Sequence, residues 1–315
     1  MTDRRRGKIT VICLSSLFVL IILAFALVEI FRDKTPNAIL HQAGQVGYIV
    51  FDDAELDVDL RSENAFVYDV KNDRIIFRKG EEKIVYPAST TKLLTALYAL
   101  EIMEPDKLIT PSDELELVAS GSSIAYIKAE HTLTLEMLIE GMIIPSGNDA
   151  AYAIAAAGGR TLAENEDLSG KEAVSHFMEK LNEYGKSIGL CGTHFTVPDG
   201  YSSGEHYSTV EDMVIISKLA LENEIISKYM KKQKDSVVYA SGHTNEWKNT
   251  NEMLDKNSEY YSPYVTGMKT GSLNKNYCFI CSVDDGEDQY IIGLFGADFK
   301  NDRFEDALRL IELLY

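Results

Sequence analysis

The sequence predicts an α+β fold, in which one antiparallel sheet draws strands from both ends of the chain and is covered by helices. Two observations predict it. A β-rich strand pair lies near each end, and helical periodicity fills the stretch between them and the C-terminus. In the first pair, Asn64 to Val70 and Arg74 to Phe77 flank the turn Lys71-Asn72-Asp73. "STTKLLTALYALEIM" (89–103) then carries apolar residues at helical spacing, with Pro87 as a start signal. Two more helical patterns, between Leu133 and Gly159, flank "IPSGNDAA". Lys171 to Ile188 forms another, stopped by Gly189. "NYCFICSV" and "YIIGLFGAD" read as a second hairpin around Asp284 to Asp288. "RFEDALRLIELL" closes the chain as an amphipathic helix.

Ahead of this domain, Ile9 to Val28 form an apolar run of about 20 residues, the length a bilayer-spanning helix needs. Arg4, Arg5, Arg6 and Lys8 precede it, and such positive flanks stay in the cytoplasm. The expected layout is a basic tail at 1–8, a signal-anchor helix at 9–30, a stalk at 31–46 and a catalytic domain at 47–315. The domain would then face the extracytoplasmic side. Ala24-Phe25-Ala26 offers the competing reading of a cleaved signal peptide. The run is longer than an ordinary signal core, which favours the anchor.

With 45% hydrophobic and 25% charged residues the chain is an ordinary globular one, so its function must be sought in motifs. A net charge of −18 argues against a nucleic-acid partner, because replacing phosphate counterions takes a Lys/Arg surface. Lys231, Lys232 and Lys234 read as a solvated face. Cys13, Cys191, Cys278 and Cys281 are too scattered for a disulfide framework. Cys278 and Cys281 have redox-like spacing but sit in a strand, where residues three apart point to opposite faces. No metal or other cofactor is expected.

Three short motifs carry chemistry. Ser89-Thr90-Thr91-Lys92 sets a serine and a lysine on one helical face, since i and i+3 are neighbours there. A hydroxyl is a weak nucleophile until a base takes its proton, and a lysine serves only when burial or a second cation keeps it neutral. The helix start also offers Ser89 a backbone N–H and a dipole suited to an oxyanion. About one S-x-x-K is expected by chance in a chain of this length, so it decides nothing alone. Ser146-Gly147-Asn148 falls at a turn between helices, which equally suits a helix start at Asp149. Lys269-Thr270-Gly271 falls just before a strand, where glycine admits a close backbone approach.

In this order, the three motifs resemble the set shared by class A β-lactamases and penicillin-binding proteins. The wider chain resembles the low-molecular-mass penicillin-binding proteins that act as serine-type D-Ala-D-Ala carboxypeptidases, the S11 peptidase family. "YPASTTKLLTAL", "GSSIAYIKAEHTLTLEMLIEGMIIPSGNDAA", "MEKLNEYGKSIGLCGTHFTVPDGY", "YSTVEDM", "NTNEML" and "VTGMKTG" carry the likeness from about Asn64 to the end. It implies a β-lactamase/transpeptidase-like fold with a helical subdomain. It also implies that Ser89 attacks the carbonyl between two D-alanines while Lys92 takes its proton. The oxyanion would lie between the backbone N–H groups of Ser89 and Ser272. Ser146 and Lys269 would pass a proton to the leaving D-alanine, Asn148 would hold the substrate's peptide carbonyl, and Thr270 with Lys269 its terminal carboxylate. The implied partners are peptidoglycan stem peptides ending in D-Ala-D-Ala and β-lactam antibiotics.

Two departures accompany the likeness. Many members carry a further β-rich C-terminal domain with a terminal amphipathic helix, whereas this sequence stops at Tyr315, so the N-terminal span is expected to anchor it. "SLNKN" replaces a segment usually richer in Gly, Thr and Ala, which bears on substrate fit. Three rivals share the site: a DD-endopeptidase, a class A-like β-lactamase and a non-hydrolytic penicillin or peptidoglycan sensor. S-G-N in place of S-D-N counts against the lactamase.

Overall fold

The first strand pair is set by its turn. The Asp69 carboxylate accepts hydrogen bonds from the backbone N–H and side-chain amide of Asn72, and Asp73 takes a left-handed φ of 53°. Strands β1 (Asn64–Asp69) and β2 (Arg74–Lys79) therefore run antiparallel. The computed structural model describes residues 50–51, 58–80, 84–202 and 204–315, and Phe51–Tyr315 form a compact unit. The expected basic tail, anchor helix and stalk, with Cys13, lie outside the described residues. Among the described residues no helix is long and apolar enough to cross a membrane.

A 3-10 turn, Ala88–Thr91, leads into α1 (Lys92–Ile102). A short pair, β3 (Leu108–Ile109) with β4 (Leu133–Thr134), then precedes α2 (Leu135–Ile143), whose N-cap Thr134 accepts from the Met137 N–H. Next come α3 (Asn148–Ala163) and α4 (Gly170–Ser187); a full capping box, Ser169 with Glu172, starts the latter. Helix α3 is buried on every side for its first twelve residues, which an alanine-rich sequence permits. A Cβ at Gly159 would lie 1.9 Å from the Ala173 carbonyl oxygen, so glycine sets how closely α3 and α4 cross.

Helices α5 (Val210–Glu222) and α6 (Glu224–Met230) and the hairpin β5 (Lys234–Val238) with β6 (Thr244–Lys248) follow, none of them foreseen in the sequence. The chain ends with β7 (Lys269–Leu273), β8 (Asn276–Asp284), β9 (Gln289–Ala297) and α7 (Asp302–Leu314). These strands join the first pair in the order β2-β1-β9-β8-β7, with Tyr290 opposite Asp69 and Lys269 opposite Ile280. The expected sheet from both ends of the chain is present. One expectation changes: Lys269-Thr270-Gly271 opens a strand of its own at the sheet edge instead of preceding one.

Alternate residues on the central strands bury on opposite faces. Ala65, Val67, Phe279, Cys281, Ile292 and Leu294 pack under Phe304, Ala307 and Leu310 of α7. Cys278 faces the other way, with its Sγ against the Tyr86 carbonyl oxygen. Both cysteines are fully buried, which pushes their thiols up and away from nucleophilic use. Among the basic trio, Lys231 and Lys234 are exposed as expected, but Lys232 pairs with Asp235.

Candidate active site

The nucleophile turn is held in place from three sides. Val85 and Ser208 exchange backbone hydrogen bonds of 2.9 Å, fixing the chain just ahead of Pro87. The Thr90 N–H and hydroxyl both donate to the Pro87 carbonyl, at 3.1 and 2.7 Å. Ala88, immediately before Ser89, is forced to φ 47°, a left-handed conformation that costs an alanine about 1–2 kcal/mol. Gly200 and Gly271 flank this turn. A Cβ on Gly200 would sit 1.9 Å from the Ala88 carbonyl oxygen, and one on Gly271 2.8 Å from the Pro87 carbonyl oxygen. Gly200 also has φ 77°. Gly200→Ala should therefore cost about 3 kcal/mol, combining overpacking with left-handed strain. A lowered urea midpoint would show the loss; an unchanged midpoint would mean that the 199–201 turn does not brace Ser89.

Lys92 lies fully buried beneath that turn. Its Nζ donates to Ser89 Oγ at 2.9 Å, Asn148 Oδ1 at 2.7 Å and the Asp199 carbonyl oxygen at 3.0 Å. Burial brings its pKa down to about 8, against the opposing pull of the Asp199 and Asp149 carboxylates. Desolvation wins, so the neutral amine is accessible near physiological pH. Asp199, held by the Tyr201 N–H at 3.0 Å, is itself pushed up by burial. Thr91, next to Lys92, takes a 2.8 Å hydrogen bond from His206 Nε2. His206 Nδ1 accepts from the Thr196 N–H, and burial lowers this histidine to about 3, so it is neutral with its proton on Nε2.

The middle motif is positioned by a buried carboxylate. Asp149 accepts from the backbone N–H groups of Ala125 and Ile127, each at 2.8 Å, and the Asn148 N–H donates to the Ser123 carbonyl. Trp247, 2% exposed, locks the same loop by donating its indole N–H to the Ala125 carbonyl at 3.0 Å. Asn148 is the first residue of α3, while Ser146 remains in the turn before it at φ 63°. Gly147 is required by packing: a Cβ there would lie 2.6 Å from that of Ala125 and 2.7 Å from the Gly141 carbonyl oxygen.

The third motif forms the opposite wall. Lys269 is 1% exposed and donates to the Thr270 carbonyl at 3.1 Å. Burial, then the positive charges of Lys92 and Arg303, hold its pKa well below the usual lysine range. Thr270 and Thr250 share a hydrogen bond between hydroxyls at 2.5 Å, and the Thr250 N–H donates to the Ile144 carbonyl. The Asn251 amide donates to the Gly267 carbonyl at 3.2 Å. The "NTN" segment thus ties the serine loop to the K-T-G strand. Arg303 of α7 donates from Nη1 to the Gly271 carbonyl (2.6 Å), the Cys278 carbonyl (3.1 Å) and Ser272 Oγ (3.1 Å). "SLNKN" spans the end of β7, the two-residue turn Asn274-Lys275 and the start of β8, with Asn274 at φ 56°. From it the Asn276 amide donates to the Tyr86 carbonyl at 2.7 Å, another link to the nucleophile turn.

Ser89, Ser146, Thr270 and Ser272 line one cleft of about 750 Å³. The structure therefore brings the three motifs together, with Lys92 and Asn148 bonded beneath Ser89 and Gly271 packed against its turn. Asp199, Thr250 and Arg303 were not expected from the sequence. A buried amine bonded to a serine hydroxyl, beside a second buried amine and an arginine, suits acyl transfer from a substrate bearing a carboxylate.

A site and sheet of this kind define a serine-dependent acyl-transfer class with the transpeptidase fold. The chain matches the D-alanyl-D-alanine carboxypeptidase model, peptidase S11, over residues 51–298 and belongs to that family. It is 29% identical to D-alanyl-D-alanine carboxypeptidase DacF of Bacillus subtilis, over 81% of this chain and 62% of that one. It is 30% identical to the D-alanyl-D-alanine carboxypeptidase of Streptomyces sp. K15, over 75% of this chain and 81% of the relative. Against DacD of Escherichia coli K12 the figures are 28%, 77% and 60%, so the chain spans about three fifths of the Bacillus and Escherichia proteins. Among solved structures, the Streptomyces K15 DD-transpeptidase superimposes with a TM-score of 0.71 at 25% identity, covering 81% of this chain and 97% of that one. Penicillin-binding protein D2 of Listeria monocytogenes, in an ampicillin-bound form, is similar in fold at a TM-score of 0.65 and 24% identity, covering 82% and 98%.

Proposed function

We propose that this protein is a serine-type D-alanyl-D-alanine carboxypeptidase, which removes the terminal D-alanine from peptidoglycan stem pentapeptides through an acyl-enzyme on Ser89. Penicillins acylate the same hydroxyl. The observation that carries this reading is the buried Lys92 Nζ, 2.9 Å from Ser89 Oγ and titrating near 8. Family membership and the ampicillin-bound fold neighbour support it.

Neutral Lys92 accepts the Ser89 proton as Oγ bonds to the carbonyl carbon between the two D-alanines. The oxyanion that forms is held by the backbone N–H groups of Ser89 and Ser272. As the C–N bond breaks, Lys92 gives that proton up, and Ser146 and Lys269 relay it to the departing amine. Water then attacks the ester carbon and gives its proton to Lys92, neutral again, which passes it to Ser89 Oγ as the ester C–O bond breaks and the shortened peptide leaves. Asn148 presents its Oδ1 to Lys92, so its NH₂ is the group turned to the substrate's peptide carbonyl. Thr270 and Lys269 receive the terminal carboxylate. That anion supplies the counter-charge that Lys269 lacks between Lys92 and Arg303, so the site suits a substrate ending in a free carboxylate.

The pKa of Lys92 fixes the sign of the pH dependence. Its free base appears as pH rises through about 8, so Ser89 acylation should climb between pH 6 and 9, by roughly tenfold per unit below the midpoint. Stopped-flow acylation by a chromogenic penicillin measures this, and a rate that falls over the same range would remove Lys92 as the base.

Release of free D-alanine from diacetyl-Lys-D-Ala-D-Ala is the direct assay. Sustained penicillin hydrolysis outpacing that release would indicate a β-lactamase, and a stable acyl-serine without release a sensor. D-alanine release confined to cross-linked peptides would indicate an endopeptidase. The apolar run Ile9 to Val28 behind its arginines supports attachment to the cell membrane, with the catalytic domain on the extracytoplasmic side.

A further inference from the structure

Away from the cleft, four rings contact one another in sequence where the β5–β6 hairpin meets the loop ahead of β4. His243 and His131 lie with ring centroids 4.4 Å apart, His131 and Tyr239 at 5.0 Å, and Tyr239 and Trp247 at 6.1 Å. His131 belongs to the loop and the other three to the hairpin. Two hydrogen bonds tie the hairpin tip down: the Ser241 N–H donates to the Thr132 carbonyl at 3.2 Å, and the Thr132 N–H to Ser241 Oγ at 3.1 Å. Further in, the Asn245 amide donates to the Tyr239 hydroxyl at 3.1 Å and, beside the Trp247 indole, to the Ala125 carbonyl at 2.8 Å. The Ala125 N–H in turn holds Asp149, so the hairpin sits on the loop that positions Asn148.

His131 is 6% exposed, and its Nδ1 accepts the Lys128 N–H at 3.1 Å, so the neutral ring carries its proton on Nε2. An imidazolium donates from both nitrogens. Protonation therefore sets two N–H groups against each other at Lys128 and places a positive charge beside His243. Lys128 adds to the repulsion and Glu130, 3.8 Å from Lys128, opposes it; from the hairpin, His243 and Tyr239 are the titratable groups that face the ring. Burial, then His243, outweigh Glu130 and lower the His131 pKa below its ordinary value. The docked tip is thus fully favoured above about pH 6.5 and loses stability as pH falls from there toward the lowered value. At the other end of the hairpin, Glu140 of α2, pushed up to about 8 by burial and a hydrogen bond to Asp235, stays protonated over that range. Acid frees the tip and leaves the base held.

We propose that the β5–β6 hairpin is a proton-released clamp on the S-G-N loop. Protonation of His131 against His243 lifts the 239–243 tip, takes Tyr239 off Trp247 and withdraws the Asn245 amide from the Ala125 carbonyl. The loop behind Asp149 and Asn148 then loosens, and acylation of Ser89 falls further than protonation of Lys92 alone would bring it. His131 acts here as a positioning residue, through that loop.

Trp247 is the single tryptophan of the chain, so its fluorescence in the full-length protein reports the tip. Between about pH 7.5 and 5.5, the range in which histidines take up protons, its emission should shift to longer wavelength and acrylamide should quench it more strongly. His131→Asn keeps an oxygen for the Lys128 N–H but does not titrate, and should abolish the transition; His243→Gln should move it to lower pH. Helical circular dichroism checks that both variants fold. In acylation by a chromogenic penicillin, His131→Asn should match the wild type at the upper pH and exceed it by about fivefold at the lower, the small end of ordinary coupling between sites. The Lys92 titration is common to both proteins and cancels in that ratio. Quenching that stays flat in the wild type, a transition that persists in His131→Asn, or a rate ratio that does not change with pH would overturn the clamp. If His131→Asn does not fold, a transition left unmoved by His243→Gln overturns it. Absence of acylation in every protein would instead overturn the Ser89 reading, and the fluorescence would decide the clamp on its own.

Discussion

Ser89→Ala should release D-alanine from diacetyl-Lys-D-Ala-D-Ala more than about 10⁴-fold more slowly than the wild type, as loss of a nucleophile does in serine hydrolases. The substitution removes one oxygen. Lys92 retains Asn148 Oδ1 and the Asp199 carbonyl as acceptors, so only one of its three hydrogen bonds disappears. Losing it should move stability by no more than about 1 kcal/mol, and the thermal midpoint should change little. A folded Ser89→Ala protein retaining turnover within tenfold of wild type would put the nucleophile elsewhere.

Lys92→Met is the second large effect. Methionine has nearly the length of lysine, so the buried volume stays filled while the amine is lost. Removing the amine also leaves Asn148 Oδ1 and the Asp199 carbonyl without this donor, at about 1–3 kcal/mol each. Relief from burying an ionisable amine offsets part of that cost. Acylation should slow by about 10³-fold, the scale of a lost general base. Its rise through pH 8 should also disappear. A variant slowed equally but still rising near pH 8 would assign that titration to another group, with Lys92 serving only to position Ser89.

The parts of the site that were legible in the sequence are those fixed by local geometry. Helical spacing brings Ser89 and Lys92 together whatever surrounds them. β-rich and apolar runs around turns likewise marked the strand pairs at both ends, and period 3.6 marked α1, α2, α3, α4 and α7. Residues that act through long-range contacts left no such trace. Asp199 reaches Lys92 through a backbone carbonyl 107 positions away, and any residue type supplies a carbonyl. Arg303 looks like one cation on an amphipathic helix until its Nη1 is seen on three groups of the K-T-G strand and its neighbour. Strand β7 was missed because five residues beginning K-T-G hold too little alternation to declare themselves. The β5–β6 hairpin escaped for a related reason. Each of its strands buries a single side chain, Val237 or Trp247, within an otherwise polar or exposed run. Gly147, read at first only as a difference from S-D-N, has a physical cause in the Ala125 and Gly141 atoms that a side chain would strike.

The central claim is that one hydroxyl, made nucleophilic by a buried amine, carries the acyl group. Intact-mass analysis of the wild-type chain after brief exposure to benzylpenicillin tests it most directly. A gain of one penicilloyl group, mapped by peptide fragmentation to Ser89 and absent from Ser89→Ala, is the predicted result. An adduct on any other residue, or an unmodified chain at saturating penicillin, would contradict it.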